Sequence, residues 1–349
     1  MFFAHNKYTN KRIEFHILQS FPVTCLNRDA IGSPKTALVG GITRARVSSQ
    51  CWKRQVRLMM HDLGVKTAIR TKNLSKKLFE IIKADCETED IAENVSSHIA
   101  ENLTKDTLHF ISHHEIEMLA QYAKEMNFNV KNMKSKDIIS IHKKAFNPNY
   151  DGLDIALFGR MVAQAPELNV EAASSFSHAI STHKCATEID FFTAIDDYNE
   201  SNNQGSSHLG SIEFNSATYY RYISIDLGLL FNNCHGDDNF EQALTSFIHA
   251  LYLAVPKARQ TSHSGACDWD FARVLIRKGQ RLQMNFESPV NGRGEGFLKN
   301  SIEELNYMID KKEKLSGSLF GKIADYQYGL DENFSIDDLV NSVIKDVMN

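Results

Sequence analysis

Apolar and polar positions along this chain change period several times, and each change marks an element. Ile13, Phe15 and Ile17 alternate with Glu14, His16 and Leu18, which predicts a first strand. The loop from Ser20 to Asp29 places Asn27, Arg28 and Asp29 just beyond its end. Gly40 and Gly41 permit a tight turn. Arg44 and Arg46 then alternate with Ala45 and Val47, as in a strand with one polar face. Ser48 or Ser49 is placed to cap a helix, since a serine oxygen accepts a hydrogen bond from a first-turn amide. On that helix Trp52, Val56, Met59 and Leu63 make the apolar stripe, while Gln50, Lys53 and Arg57 share another face.

From about Val65 to Phe146 helical spacing recurs in three segments, around Leu74 to Ile82, Ile91 to Ile99 and Ile116 to Ala123, with no proline and no glycine after Gly64. This reads as a helical subdomain inserted into another domain. The run from Glu171 to Ile180 is also predicted helical. Glu188 to Ser216 is a long excursion containing a polar, glycine-bearing loop, and Ala217 to Leu227 is β-branched and aromatic enough for a strand. Phe240 to Val255 forms a helix stopped by Pro256, Leu282 to Phe286 alternates as a strand, Ser301 to Ile309 begins a helix, and Ser335 to Met348 is amphipathic. The expected class is α+β, with sheet elements at both ends and helices between.

Composition changes little in this picture. At 349 residues with 42% hydrophobic positions, one large or two smaller globular domains are expected. Six scattered cysteines without a CxxC pair suggest reduced thiols in the cytoplasm. The opening Met1 to Lys7 has too short an apolar run for a signal peptide, and no segment reaches membrane-spanning length.

Charge changes it more. Between Asp29 and Asp62 stand six cations (Lys35, Arg44, Arg46, Lys53, Arg54, Arg57) and no acid, in a chain of net charge −4. A local +6 in an acidic protein reads as a polyanion site, against the alternative of a solvated face ion-paired to distant acids. Lys257, Arg259, Arg273, Arg277, Lys278 and Arg281 form a second basic region. Catalytic signatures are missing: there is no HExxH, Walker loop, GxGxxG or GxSxG. His178 and His183 are five apart, and His263 with Cys267 supplies only two corners of a zinc site, so neither a metal nor a cofactor is expected.

Several longer motifs carry a resemblance. They are Cys25-Leu26-Asn27-Arg28-Asp29, Gly40-Gly41 with Arg44-Ala45-Arg46-Val47-Ser48-Ser49-Gln50, and Asp154-Ile155-Ala156-Leu157-Phe158-Gly159-Arg160-Met161. His178-Ala179-Ile180-Ser181-Thr182-His183, Asp190 to Asp197, Ser207-His208-Leu209-Gly210-Ser211 and Tyr219-Tyr220-Arg221-Tyr222 follow in order. Together they resemble the CasC backbone subunit of Cascade, the type I-E CRISPR surveillance complex.

The resemblance implies a right-hand shape: a modified RRM-like (ferredoxin-like) palm over 1–65, 179–187 and 217–349, helical fingers over 66–178, and a projecting thumb over 188–216. It implies a non-catalytic subunit that polymerises head to tail along CRISPR RNA and presents bases to target DNA. Partners would be further copies of itself and other Cascade subunits: the 5′-end cap, the large and small subunits and the 3′-end endonuclease. Arg28, Arg44, Arg46, Ser48, Ser49, Gln50, Lys53 and Arg57 would hold the RNA backbone, and Met161 and Leu209 would flank a kinked nucleotide. By spacing alone Met161 and Leu209 are ordinary packing residues. Two alternatives stand beside this reading. One is a type III-like subunit that cleaves RNA with Asp29, an acid that is more simply a partner fixing the loop beside Arg28. The other is an α+β metabolic enzyme using the histidines. After Thr261 the resemblance weakens, because Ser262 to Gln280 intervenes before the expected last strand.

Overall fold

The computed structural model describes residues 6–104, 107–147, 152–194, 208–235, 237–292 and 294–349. The chain begins with β1 (Lys11–Thr24), β2 (Thr36–Val39), β3 (Ile42–Val47) and α1 (Ser49–Asp62). A helical lobe follows: β4 (Ile69–Thr71), α2 (Leu74–Ile82), α3 (Glu89–Leu103), β5 (His109–Ile111), α4 (His113–Glu125) and α5 (Ser135–Ala145). The path returns through α6 (Leu153–Phe158), β6 (Ser174–Phe176) and β7 (Ala179–Ser181), then runs out and back along β8 (Glu188–Ala194) and β9 (His208–Asp226). It finishes with α7 (Leu227–Cys234), α8 (Asp237–Leu253), α9 (Gln260–His263), β10 (Phe271–Lys278), α10 (Leu298–Ser316), β11 (Lys322–Tyr328) and α11 (Ile336–Met348).

One antiparallel sheet orders its strands β11-β10-β1-β9-β7-β3-β2, with β6 and β8 also pairing with β9. Alternation along β1 decides what each face meets. Ile13, Phe15 and Ile17 lie on one face with Ile223, Ile225 and Val274, under the helices that contribute Val56, Leu244, Phe247 and Val343. Glu14, His16 and Leu18 lie on the other with Tyr220, Tyr222 and Arg277. That second face is covered by α10, through Leu305 and Ile309, and by Met284, Phe286 and Phe320.

The covering segment shows why one expectation fails. Leu282 to Phe286 alternates like a strand, yet it lies across the sheet rather than in its ladder. Its alternate amides donate to side chains: Leu282 N–H to Glu14 (2.6 Å) and Met284 N–H to Tyr220 Oη (3.1 Å). Alternation reports two environments, and a segment bonded to side chains has them as a strand does. The last sheet strands are instead β10, inside the stretch expected to intervene before the sheet resumed, and β11. Similarly, Glu171 to Ile180 is not helical; β6 and β7 take it into the sheet beside β9 and β3.

The lobe has its own core of Leu74, Leu78, Val95, Ile99, Leu119 and Ile138, and β4 pairs with β5 near its base. β9 is one continuous strand of 19 residues, so no break separates the sheet from the ribbon it forms with β8. Among the described residues no helix is long and apolar enough to cross a membrane.

Candidate nucleic-acid interface

The site begins with a cap. Ser48 closes the N-terminus of α1, its hydroxyl accepting from the Cys51 amide (3.3 Å), and the Ser48 amide donates to Asn27 Oδ1 (3.0 Å). That second bond ties the loop after β1 to the helix. Asp29 shapes the same loop, its Oδ1 accepting from the amides of Ile31 and Ser33, both at 3.0 Å. The sequence pairs Asp29 with Arg28; in the fold its Oδ1 serves the backbone instead. Arg28 stands exposed on this loop, and its backbone bridges to Pro34.

An open groove runs between this loop and α1. Arg28, Asn27, Ser48, Gln50 and Arg54 line it, and across from them stand Lys257 and Arg259 from the turn after α8. Its volume of about 990 Å³ sits at the top of the range of small-ligand sites, and four cations face it. Lys257 and Arg259 stand some 200 residues along the chain from the first cluster, and the sheet joins them. Arg259 adopts φ 52°, a left-handed backbone uncommon for a side-chain-bearing residue.

The other expected contacts distribute themselves unequally. Ser49 lies on the far side of the cap, its amide donating to Nδ1 of the exposed His178 (3.2 Å). Lys53 leans its ammonium over the Phe176 ring at 5.7 Å, and partial burial lowers its pKa. Arg46 is half-buried and donates to the Thr36 carbonyl (3.1 Å); with Lys35 it presses the His178 pKa down, after burial itself. His178 therefore belongs to this basic edge, as its place in the quoted His-Ala-Ile motif allowed.

Two arginines turn inward. Arg44 is fully buried, donating to the carbonyls of Ser181 (2.9 Å), Phe286 (2.9 Å) and Glu287 (3.1 Å), and so fastens β3 to the covering segment. Gly40 makes this approach possible, because a Cβ there would stand 2.1 Å from the Glu287 oxygen. Arg57 donates Nε–H to the buried carboxylate of Asp154 (2.6 Å) and bonds the Ala68 carbonyl, joining α1 to α6 and the lobe. Asp154 also accepts from the Ala68 amide (3.0 Å); burial raises its pKa against these partners. In this chain both guanidiniums are spent on the fold.

Met161 is placed with care. Gly159 (φ 76°) allows the chain to pass where a Cβ would meet the Ala172 nitrogen and Val170 oxygen at 2.8 Å. Arg160 is held inside by Glu115 (2.6 Å) and Leu168, and Val162 returns to the lobe core. Between two anchored neighbours Met161 projects, 81% exposed. Leu209 lies on the ribbon, its backbone paired with Thr193, while its side chain lies outside the described residues.

Fold and site thus define an antiparallel α+β protein that carries a basic groove on the sheet domain and a helical lobe. The model of the CT1975-like proteins, Cas_CT1975, matches residues 13–329, so the chain belongs to that Cas family, in agreement with its motifs. The comparison with curated proteins gives no match. A solved chain of a "CRISPR RNA-guided surveillance complex, pre-nicking" shares the fold at a TM-score of 0.84 and 24% identity, over 96% of this chain and 100% of that one. A chain of a second "CRISPR RNA-guided surveillance complex" does so at 0.73 and 21%, over 96% and 99%.

Proposed function

We propose that this protein is a non-catalytic backbone subunit of a CRISPR RNA-guided surveillance complex of the type I-E kind. Copies stack head to tail along the guide RNA, hold its sugar-phosphate chain and present its bases in short segments to target DNA. The observation that carries this is the groove, where Arg28, Arg54, Lys257 and Arg259 converge beside the capped start of α1. Cations on phosphate give affinity without reading sequence, as a protein serving changing guides requires.

The sheet supports the RRM-like reading. Taken with α1 and α8, the strands β1, β6, β9 and β10 run β-α-β-β-α-β with spatial order β6-β9-β1-β10. The face an ordinary RRM offers to bases is closed here by α10 and Met284, so Tyr220 and Tyr222 are structural. RNA is then left to the groove at the sheet's edge. The β8–β9 ribbon serves as the thumb, the helical lobe as the fingers, and the exposed Met161 as a wedge beside a kinked nucleotide.

The test is co-expression with a CRISPR array and the neighbouring subunits. The expected product is a helical assembly containing guide-length RNA; a nucleic-acid-free, compact particle overturns the proposal. Incubating that assembly with complementary RNA and magnesium separates the RNA-cleaving alternative, which requires site-specific cuts that Asp29→Ala abolishes.

A further inference from the structure

Among the described residues, two polar atoms at the groove have no hydrogen-bond partner. Gln55 is 7% exposed, lines the groove beside Arg54, and its Oε1 is shut from water without a hydrogen bond. Arg259, which lines the same groove, has its Nε–H in the same condition. A buried acceptor left unpaired has lost its water without replacement, so a ligand that supplies a donor here gains what the free protein lacks. Among the described residues Gln55 Oε1 is the one orphaned side-chain atom that can only accept; the others are ring or guanidinium nitrogens and the Tyr122 hydroxyl.

The chemistry of the strand narrows the donor. Phosphate and ring oxygens only accept, so they suit Arg259 and not Gln55. Base edges donate, but which one does so changes with sequence. The ribose 2′-hydroxyl both donates and accepts, recurs at every nucleotide, and is missing from DNA. The terminal torsion of a glutamine is soft, so the amide oxygen can turn toward the groove that Gln55 lines.

We infer that Gln55 and Arg259 form a 2′-hydroxyl site that makes this groove select RNA over single-stranded DNA. The inference rests on the RNA-holding role proposed above. Gln55 Oε1 accepts from the hydroxyl, and Arg259 Nε–H donates to its oxygen. The neighbouring cations supply affinity common to both nucleic acids, and this pair supplies the discrimination.

The experiment compares binding of the full-length protein to synthetic single strands of one sequence, all-ribose or all-deoxyribose, at fixed salt. Wild-type protein is expected to prefer the ribose strand by about tenfold or more, and Gln55→Met, which keeps volume and removes the acceptor, is expected to bring the two strands within about threefold. Gln55→Glu, which keeps an acceptor, should retain most of the preference, which controls for packing damage in the methionine variant. Equal wild-type binding to both strands, or an unchanged ratio in a folded Gln55→Met, overturns the inference while leaving the RNA-holding role intact. Failure of wild-type protein to bind either strand overturns both.

Discussion

Two sets of cations occupy the sheet domain, and the contrast between them lies in what covers each. Arg44, Arg221, Arg273 and Arg277 are buried, each with its guanidinium bound by protein. Arg273 meets Asp325 (2.7 Å) and Asp310 (2.8 Å), Arg277 meets Glu14, and Arg44 takes three carbonyls. Among the described residues Arg221 pairs with no acid; it stacks 3.6 Å over Trp52 and donates to Gln19, and burial lowers its pKa to about 9. Arg28, Arg54 and Lys257 differ in lying beyond the sheet's covered faces, exposed on a loop, a helix flank and a turn. Arginine count alone therefore overstates the RNA site, since a guanidinium can fasten a domain as readily as it can hold phosphate.

The sharpest way to break this contrast is to remove an inward pair. Asp154→Ala leaves Arg57 facing a partly buried void, and unfolding free energy should fall by about 3–5 kcal/mol, measured by chemical denaturation. A loss below about 1 kcal/mol would return Arg57 to the candidate RNA contacts.

Acid tests two further buried basic groups, His16 on the sheet's second covered face and His109 in the lobe. Burial presses His16 to about 4 and His109 to about 3, with Glu14 and His142 respectively the next influence on each. Each imidazole stays neutral when folded and protonates near 6.5 when unfolded, so the unfolded chain binds more protons below that pH. Stability is then full above about pH 6.5 and declines as pH falls toward 4, by up to about 1.4 kcal/mol per unit for each histidine. A melting temperature flat between pH 7 and 5 contradicts this.

The outward set should behave in the opposite way. Arg54→Ala or Lys257→Ala is expected to change stability by no more than about 0.5 kcal/mol, yet to weaken RNA retention for every guide sequence and to lower the log–log salt slope by roughly one. A guide-dependent loss would mean that these residues read bases. The smallest effect belongs to Met161→Ala: stability and guide retention unchanged, with altered chemical reactivity of regularly spaced guide nucleotides as the readout. Uniform reactivity in wild type and variant alike removes the wedge role.

Much of this protein was legible in its residues because local physics sets it. The period-two alternation of β1, the Ser48 cap, the paired glycines before β3 and the helical run of the lobe follow from sterics and hydrogen bonding within a few residues. The motifs from Cys25 to Tyr222 carried the family. Tertiary structure alone decided which cations face out. Arg44 and Arg46 share one face of β3, and a segment 240 residues later lies over the first and not the second. It also set Leu282 to Phe286 across the sheet, placed β10 between β1 and β11, and carried Lys257 and Arg259 to the groove of Arg28. Burial depends on contacts between residues distant along the chain, and no local period records them.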